Sequence, residues 1–192
     1  PNDISKKMLV PASFYNKNGF IIKNQNYKYL GIQMGAQDTY KMWPLENFIK
    51  LVQRLQLISL NIKIVLLGST RREHVISKNF ESALSDKVLV INLCGKSKIN
   101  ELPILINDLD LLLTNDTGTM HLAIALKTKT VSLFGPTDSK IYGPYQDYNM
   151  HKVIQADGDF VNIAPKKQRG SEGMALITVD QVLDKTCEVL NS

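Results

Sequence analysis

The chain has 192 residues, 44% of them hydrophobic and 21% charged, with a net charge of +5. That is the composition of a soluble globular domain with one sizeable core. It contains no apolar run near the ~18 residues that would span a bilayer. Its basic residues are scattered, with short groups only at Arg71-Arg72 and Lys166-Lys167, and no nucleic-acid motif accompanies them. The positive excess suits an anionic ligand or an acidic membrane surface, and a solvated basic surface accounts for it equally. Cys94 and Cys187 stand among apolar neighbours without metal-ligand spacing, and read as thiols in a reducing compartment. The opening Pro1-Asn2-Asp3 has neither an initiator Met nor a leader pattern, and reads as an internal cut in a longer protein.

Residues 1–28, rich in Asn and Lys, are expected to be a lead-in from a preceding domain, and 29–192 one α/β domain. From Tyr29 onward short apolar runs alternate with helical patterns, the signature of βαβ units on a parallel sheet. Strands are predicted at 29–34, 63–67, 88–91, 111–114 and 130–134, with a less marked sixth near 152–155. Continuous apolar runs such as Ile64-Val65-Leu66-Leu67 fit strands covered on both faces. Leu45, Phe48, Ile49, Val52 and Leu55 recur at helical spacing after Pro44, a residue suited to a first turn. Further helices are predicted at 99–109, starting near Pro103, at 120–126 and at 179–190. The stretch 142–172 reads as loop.

Such sheets bind ligands beyond the carboxyl ends of their strands, so the residues that follow each strand carry the functional argument. After the first come Gly35, which allows close backbone approach, and Lys41, a point charge able to meet a phosphate oxygen. The second is followed by Gly68-Ser69-Thr70-Arg71-Arg72-Glu73. Thr70 there is an ordinary N-cap or a ribose contact, and Glu73 a first-turn acid or a ribose contact. Gly95-Lys96 makes a turn after the third strand, able to meet a base edge. The fourth ends in Thr114-Asn115-Asp116-Thr117-Gly118-Thr119-Met120-His121, opening a helix. Free amides and about half a positive charge at a helix start make a seat for a diphosphate. Thr117 and Thr119 add hydroxyls, Gly118 removes a Cβ, and His121 lies one turn in. Asp116 suits an N-cap. Beside a diphosphate it would repel by about 4 kcal/mol per unit charge at ~4 Å and an effective dielectric of ~20, so it is expected to orient the loop or to pair with Lys41. Gly135-Pro136-Thr137-Asp138 ends the fifth strand, as a plain turn or as a loop that shapes the site.

Five of these segments stand in one order: Gly35-Ala36 with Lys41-Met42-Trp43-Pro44, Leu66-Leu67-Gly68, Asn92 to Ser97, Thr114 to His121, and Leu133 to Asp138. Together they resemble glycosyltransferase family 9, the ADP-heptose:lipopolysaccharide heptosyltransferases. The resemblance extends to 173–182, where many members carry Cys and this chain has Gly173. It implies a GT-B architecture of two Rossmann-like domains, of which this chain is the second, a parallel sheet with helices on both faces. It implies that Lys41, Thr117, Gly118 and His121 hold the diphosphate of ADP-heptose, with Thr70 or Glu73 near ribose and Gly95-Lys96 near adenine. It further implies transfer of heptose, with inversion, to the lipid A–core acceptor, without metal or cofactor. The general base would be an Asp of the first domain, so that no catalytic residue lies here and the fragment alone is inactive. The expected location is the cytoplasm, with room for peripheral contact at the inner membrane, and no nucleic acid as partner. Two alternatives remain open at this point: a GT-B relative using a UDP-sugar, as transferase or epimerase, and a non-catalytic nucleotide-binding module.

Overall fold

The computed structural model describes residue 21 and residues 23–58, 61–157 and 172–192. Most of the expected lead-in, and residues 158–171 of the expected loop, lie outside the described residues. Six strands form one parallel sheet: β1 (Lys28–Gln33), β2 (Ile62–Leu66), β3 (Leu89–Asn92), β4 (Leu111–Asn115), β5 (Thr130–Phe134) and β6 (His151–Gln155). Their order is β3-β2-β1-β4-β5-β6, the doubly wound arrangement in which the winding reverses between β1 and β4. All six lie within one residue of the sequence expectation at either end.

Among the described residues seven helices connect or cover them: α1 (Leu45–Ile58), α2 (Arg71–Ser82), α3 (Leu102–Asn107), α4 (Gly118–Ala125), α5 (Ser139–Tyr142), α6 (Glu172–Ala175) and α7 (Val179–Asn191). α3 is shorter than the 99–109 expected, because Pro103 sits in its first turn and fixes where it begins. α4 starts two residues before the position expected. α2 and α7 each open on a capping box, Thr70 with Glu73 and Thr178 with Gln181. In both, the cap hydroxyl and the N3 side chain satisfy amides that the helix itself cannot.

Period-two alternation along the strands sends neighbouring residues to opposite faces. Leu30, Ile32, Ile64, Leu66, Leu111, Leu113, Val131 and Leu133 pack in one buried cluster with Phe48 and Val52 of α1, Phe80 of α2 and Val182 of α7. Tyr29, Val65 and Leu112 pack on the other side with Leu105 and Ile106 of α3 and Ala123 of α4. The sheet is therefore dry on both faces, which is why β1, β2, β4 and β5 read as nearly unbroken apolar runs. Cys94 and Cys187 are both free thiols, and burial raises the pKa of each. Among the described residues no helix is long and apolar enough to cross a membrane.

At the start of β6, His151 is 1% exposed and its Nδ1 shares a 3.1 Å hydrogen bond with Thr130 Oγ1. Burial, the largest influence, holds its pKa below the ordinary imidazole value, with Asp147 opposing and Lys127 adding to the effect. A lowered folded pKa means that the unfolded chain binds the proton more readily, so stability falls as pH drops below the ordinary value of about 6.5. Thermal melts between about pH 7.5 and pH 5 should show this fall. His151→Asn, which can keep a hydrogen bond to Thr130, should make the curve flatter over that window. An unchanged slope would remove His151 from the account.

Candidate functional site

Because the winding reverses between β1 and β4, the connections leaving their carboxyl ends part and open a crevice. Asn115, the last residue of β4, is fully buried there. Its Nδ2 donates to the Met34 carbonyl at 2.9 Å, and its Oδ1 accepts from the Trp43 amide at 3.2 Å. One side chain thus ties the end of β4 to the end of β1 and to the loop beyond it. That loop makes a short 3-10 turn at Thr39–Lys41. Trp43 then anchors it, with its ring edge-on to Phe48 and its Nε1 donating to the Ile177 carbonyl at 2.8 Å.

The loop delivers Lys41 to the mouth of the crevice. Its Nζ lies 2.5 Å from Asp116 Oδ2, and the same oxygen accepts from Thr137 Oγ1 at 2.9 Å. Asp116 is buried and does not cap α4. The N-cap is Thr117, whose side chain makes no capping bond and instead meets Thr114 Oγ1 at 3.1 Å. Of the two roles weighed for Asp116, the pairing with Lys41 is the one adopted, since the helix begins one residue too late for Asp116 to cap it. The start of α4 is consequently open. Among the described residues no hydrogen-bond acceptor meets the Gly118 or Thr119 amides, and a Cβ on Gly118 would project into empty space. His121, one turn further, is exposed.

Beside this helix start lies a cleft of about 390 Å³, walled by the ends of β1, β2 and α4 and by the segment preceding α3. Its floor is the Glu73 carboxylate. Oε2 accepts from the Ser69 amide, the Thr70 amide and Thr70 Oγ1, each at 2.9 Å, and Oε1 accepts from Gln33 Nε2. A Cβ on Gly35 would collide with this carboxylate, and one on Gly68 with the Glu73 side chain, so both glycines make room for Glu73. Met42, Ile76, Ile99 and Leu102 supply an apolar wall, with Ser97 and Lys98 at its rim. Ile99 is 83% exposed, a large apolar side chain facing open space.

Of the residues expected from the sequence, Gly35, Thr70, Glu73, Thr117 and Thr119 line the cleft. Thr70 and Glu73 are at the same time the capping pair of α2. Lys41, Asp116, Gly118 and His121 gather at or beside the α4 start. Gly95 and Lys96 are not among the lining residues. Gly95, at φ 73°, makes the left-handed turn that swings the chain round to present Ser97, Lys98 and Ile99 instead. Gln33, Asn115 and Thr137 join the site through contacts that no local sequence pattern announces. The only sequence sign of Thr137 was the turn motif Gly135-Pro136-Thr137-Asp138.

Residues 6–162 match the family described as glycosyltransferase family 9 (heptosyltransferase). The chain belongs to this family. A lipooligosaccharide heptosyltransferase 2 of Campylobacter jejuni is 32% identical over 154 residues, covering 79% of this chain and 47% of the relative. The solved E. coli ADP-heptose lipopolysaccharide heptosyltransferase II superposes with a TM-score of 0.76 at 25% identity, over 96% of this chain and 53% of that one. An E. coli heptosyltransferase solved with ADP shares the fold at a TM-score of 0.68 and 20% identity, over 87% and 46%. The chain spans about half the length of the curated relatives it matches. Its sheet is the Rossmann-like α/β unit of a GT-B glycosyltransferase.

For this family-9 chain, Asn115→Ala should cost about 2–4 kcal/mol, because the Met34 carbonyl and the Trp43 amide would both be left buried and unpaired. Urea unfolding checks this. A loss below about 0.5 kcal/mol would mean that the strand ends are held by other means.

Proposed function

We propose that the cleft binds ADP-heptose and that this chain is the second, donor-binding half of a glycosyltransferase adding heptose to the lipid A–core of lipopolysaccharide. The observation that carries this reading is the uncapped start of α4 at the switch point. Among the described residues the Gly118 and Thr119 amides there meet no acceptor and a Cβ on Gly118 would find open space, while the neighbouring carboxylate, Asp116, is held down by Lys41 and Thr137. Such a place attracts a diphosphate. A negative group left loose beside it would repel one, and the Lys41 pair removes that penalty. Two relatives support the choice of ligand: the structure solved with ADP and the one whose name specifies ADP-heptose.

In this reading the apolar wall of Met42, Ile76, Ile99 and Leu102 takes the base, and Thr70 with Glu73 lies near the ribose. Lys41, Thr117, Gly118 and His121 face the diphosphate. As the glycosidic bond to phosphate breaks, negative charge grows on the departing ADP. Donors already fixed in place stabilise it without reorganising. The proton of the attacking hydroxyl must go to a base supplied by the other half of the protein. In this reading the α4 amides and the Thr117 hydroxyl meet that charge, and no metal is invoked. Transfer by the full-length protein is expected to persist in EDTA. The donor half works in the cytoplasm, at or near the inner face of the membrane.

Calorimetry should give ADP binding that Lys41→Met and Thr117→Val each weaken by about tenfold or more, near 1.4 kcal/mol. Asp116→Asn should weaken it modestly, by loosening Lys41. Absent ADP binding, or a clear preference for UDP, would sink the reading.

A further inference from the structure

A second groove, of about 460 Å³, lies on the β6 side of the sheet and shares no lining residue with the nucleotide cleft. Its walls include Lys140 of α5, Tyr145 and Tyr148 of the following loop, His151 and Lys152 of β6, and Lys185 of α7. Among the described residues three lysines line it and no carboxylate does. Lys152 and Lys185 both reach Glu188, at 3.0 and 2.7 Å, whereas Lys140 has no ion-pair partner among the described residues. Three ammonium groups set against one carboxylate leave about two positive charges. A phosphate monoester, at about −1.5 to −2 near neutral pH, balances that, and a single carboxylate does not.

Two further observations point to an occupant. Tyr145 and Tyr148 are 61% and 64% exposed, so two flat aromatic faces with polar tips stand free beside the lysines. His151, in the same wall, is fully buried, yet its Nε2 has no hydrogen-bond partner among the described residues. Buried polar nitrogens are rarely left so, and each such case calls for a missing partner. Nδ1 is engaged by Thr130 Oγ1, which leaves Nε2 as the ring nitrogen open to an added partner.

We propose that this groove binds a phosphate monoester headgroup, with the phosphate among Lys140, Lys152 and Lys185 and its organic part against Tyr145 and Tyr148. A soluble sugar phosphate and a phosphomonoester lipid present the same chemistry. The inference is independent of what occupies the cleft.

The test is a titration of the isotopically labelled chain, with ADP in excess to fill the nucleotide cleft, followed by the amide resonances of Lys152 and Val153. Glucose 6-phosphate should shift them at least about threefold more tightly than inorganic phosphate, and glucose should leave them unmoved. Lys140→Glu, on an exposed side chain outside the cleft, should weaken binding by about tenfold or more, near 1.4 kcal/mol, with Tyr148→Ser intermediate. Co-sedimentation with phosphatidylcholine vesicles, with and without phosphatidic acid, assigns the source. Capture that requires phosphatidic acid and is lost in Lys140→Glu supports a lipid-borne phosphate. The inference is overturned if neither glucose 6-phosphate nor the acidic vesicles bind, or if binding survives both substitutions unchanged. ADP is titrated separately on the same sample. Failure there, with the groove still responding, counts against the cleft reading alone.

Discussion

A buried carboxamide holds the reversal point of this sheet together. Asn115 carries one donor and one acceptor to two backbone groups of another strand end, a task that few side chains can perform in both directions. In a doubly wound sheet the two strands at the reversal send their connections to opposite faces, and nothing in the ladder itself fixes how the emerging loops stand to each other. The Asn115 bonds fix it. Lys41 reaches Asp116 because the loop from β1 is held at Trp43, and the start of α4 stays open because its N-cap, Thr117, makes no side-chain capping bond.

The arrangement separates two negative charges by assigning each to its own partner. Asp116 is paired with a cation and a hydroxyl, and Glu73 is wrapped in the amides of its own helix start together with Gln33. Both carboxylates border the cleft region, yet neither is free to compete for the α4 amides. A cleft of this kind can therefore contain acidic residues and still attract an anion, provided that each one is already satisfied. Gly35 and Gly68 serve the same end, because only their missing side chains let Glu73 lie across the ends of two strands.

The strand positions were legible because a sheet dry on both faces writes itself as apolar runs, and α1 and α7 were legible because thirteen or fourteen residues give periodicity time to show. α5 and α6, of four residues each, have no room for a period. The open helix start was legible from local order alone: a strand, a turn of small polar residues, then a helix. What local order cannot reveal is contact between distant segments. Thr137 lies twenty-one residues from the aspartate it holds. Glu73 lies forty from Gln33. The capping pair on α2 is legible in Thr70 and Glu73, three residues apart, but its position across Gly35 requires the packing of α2 against the end of β1. The β6 groove draws on α5, a loop, a strand and α7, and no single stretch of chain announces it.

The bond from Trp43 Nε1 to the Ile177 carbonyl spans 134 positions, and it bears on when the protein becomes competent. A chain emerging from the ribosome can lay down β1 to β5 and their helices well before Ile177 is made, since their mutual contacts lie within the first 134 residues. Trp43 would wait through that interval without its last partner, and the loop carrying Lys41 with it. Nascent chains arrested before Ile177 would thus hold a nearly finished sheet with the Trp43 loop still unset, so that the arrangement around Lys41 is the last feature this domain acquires.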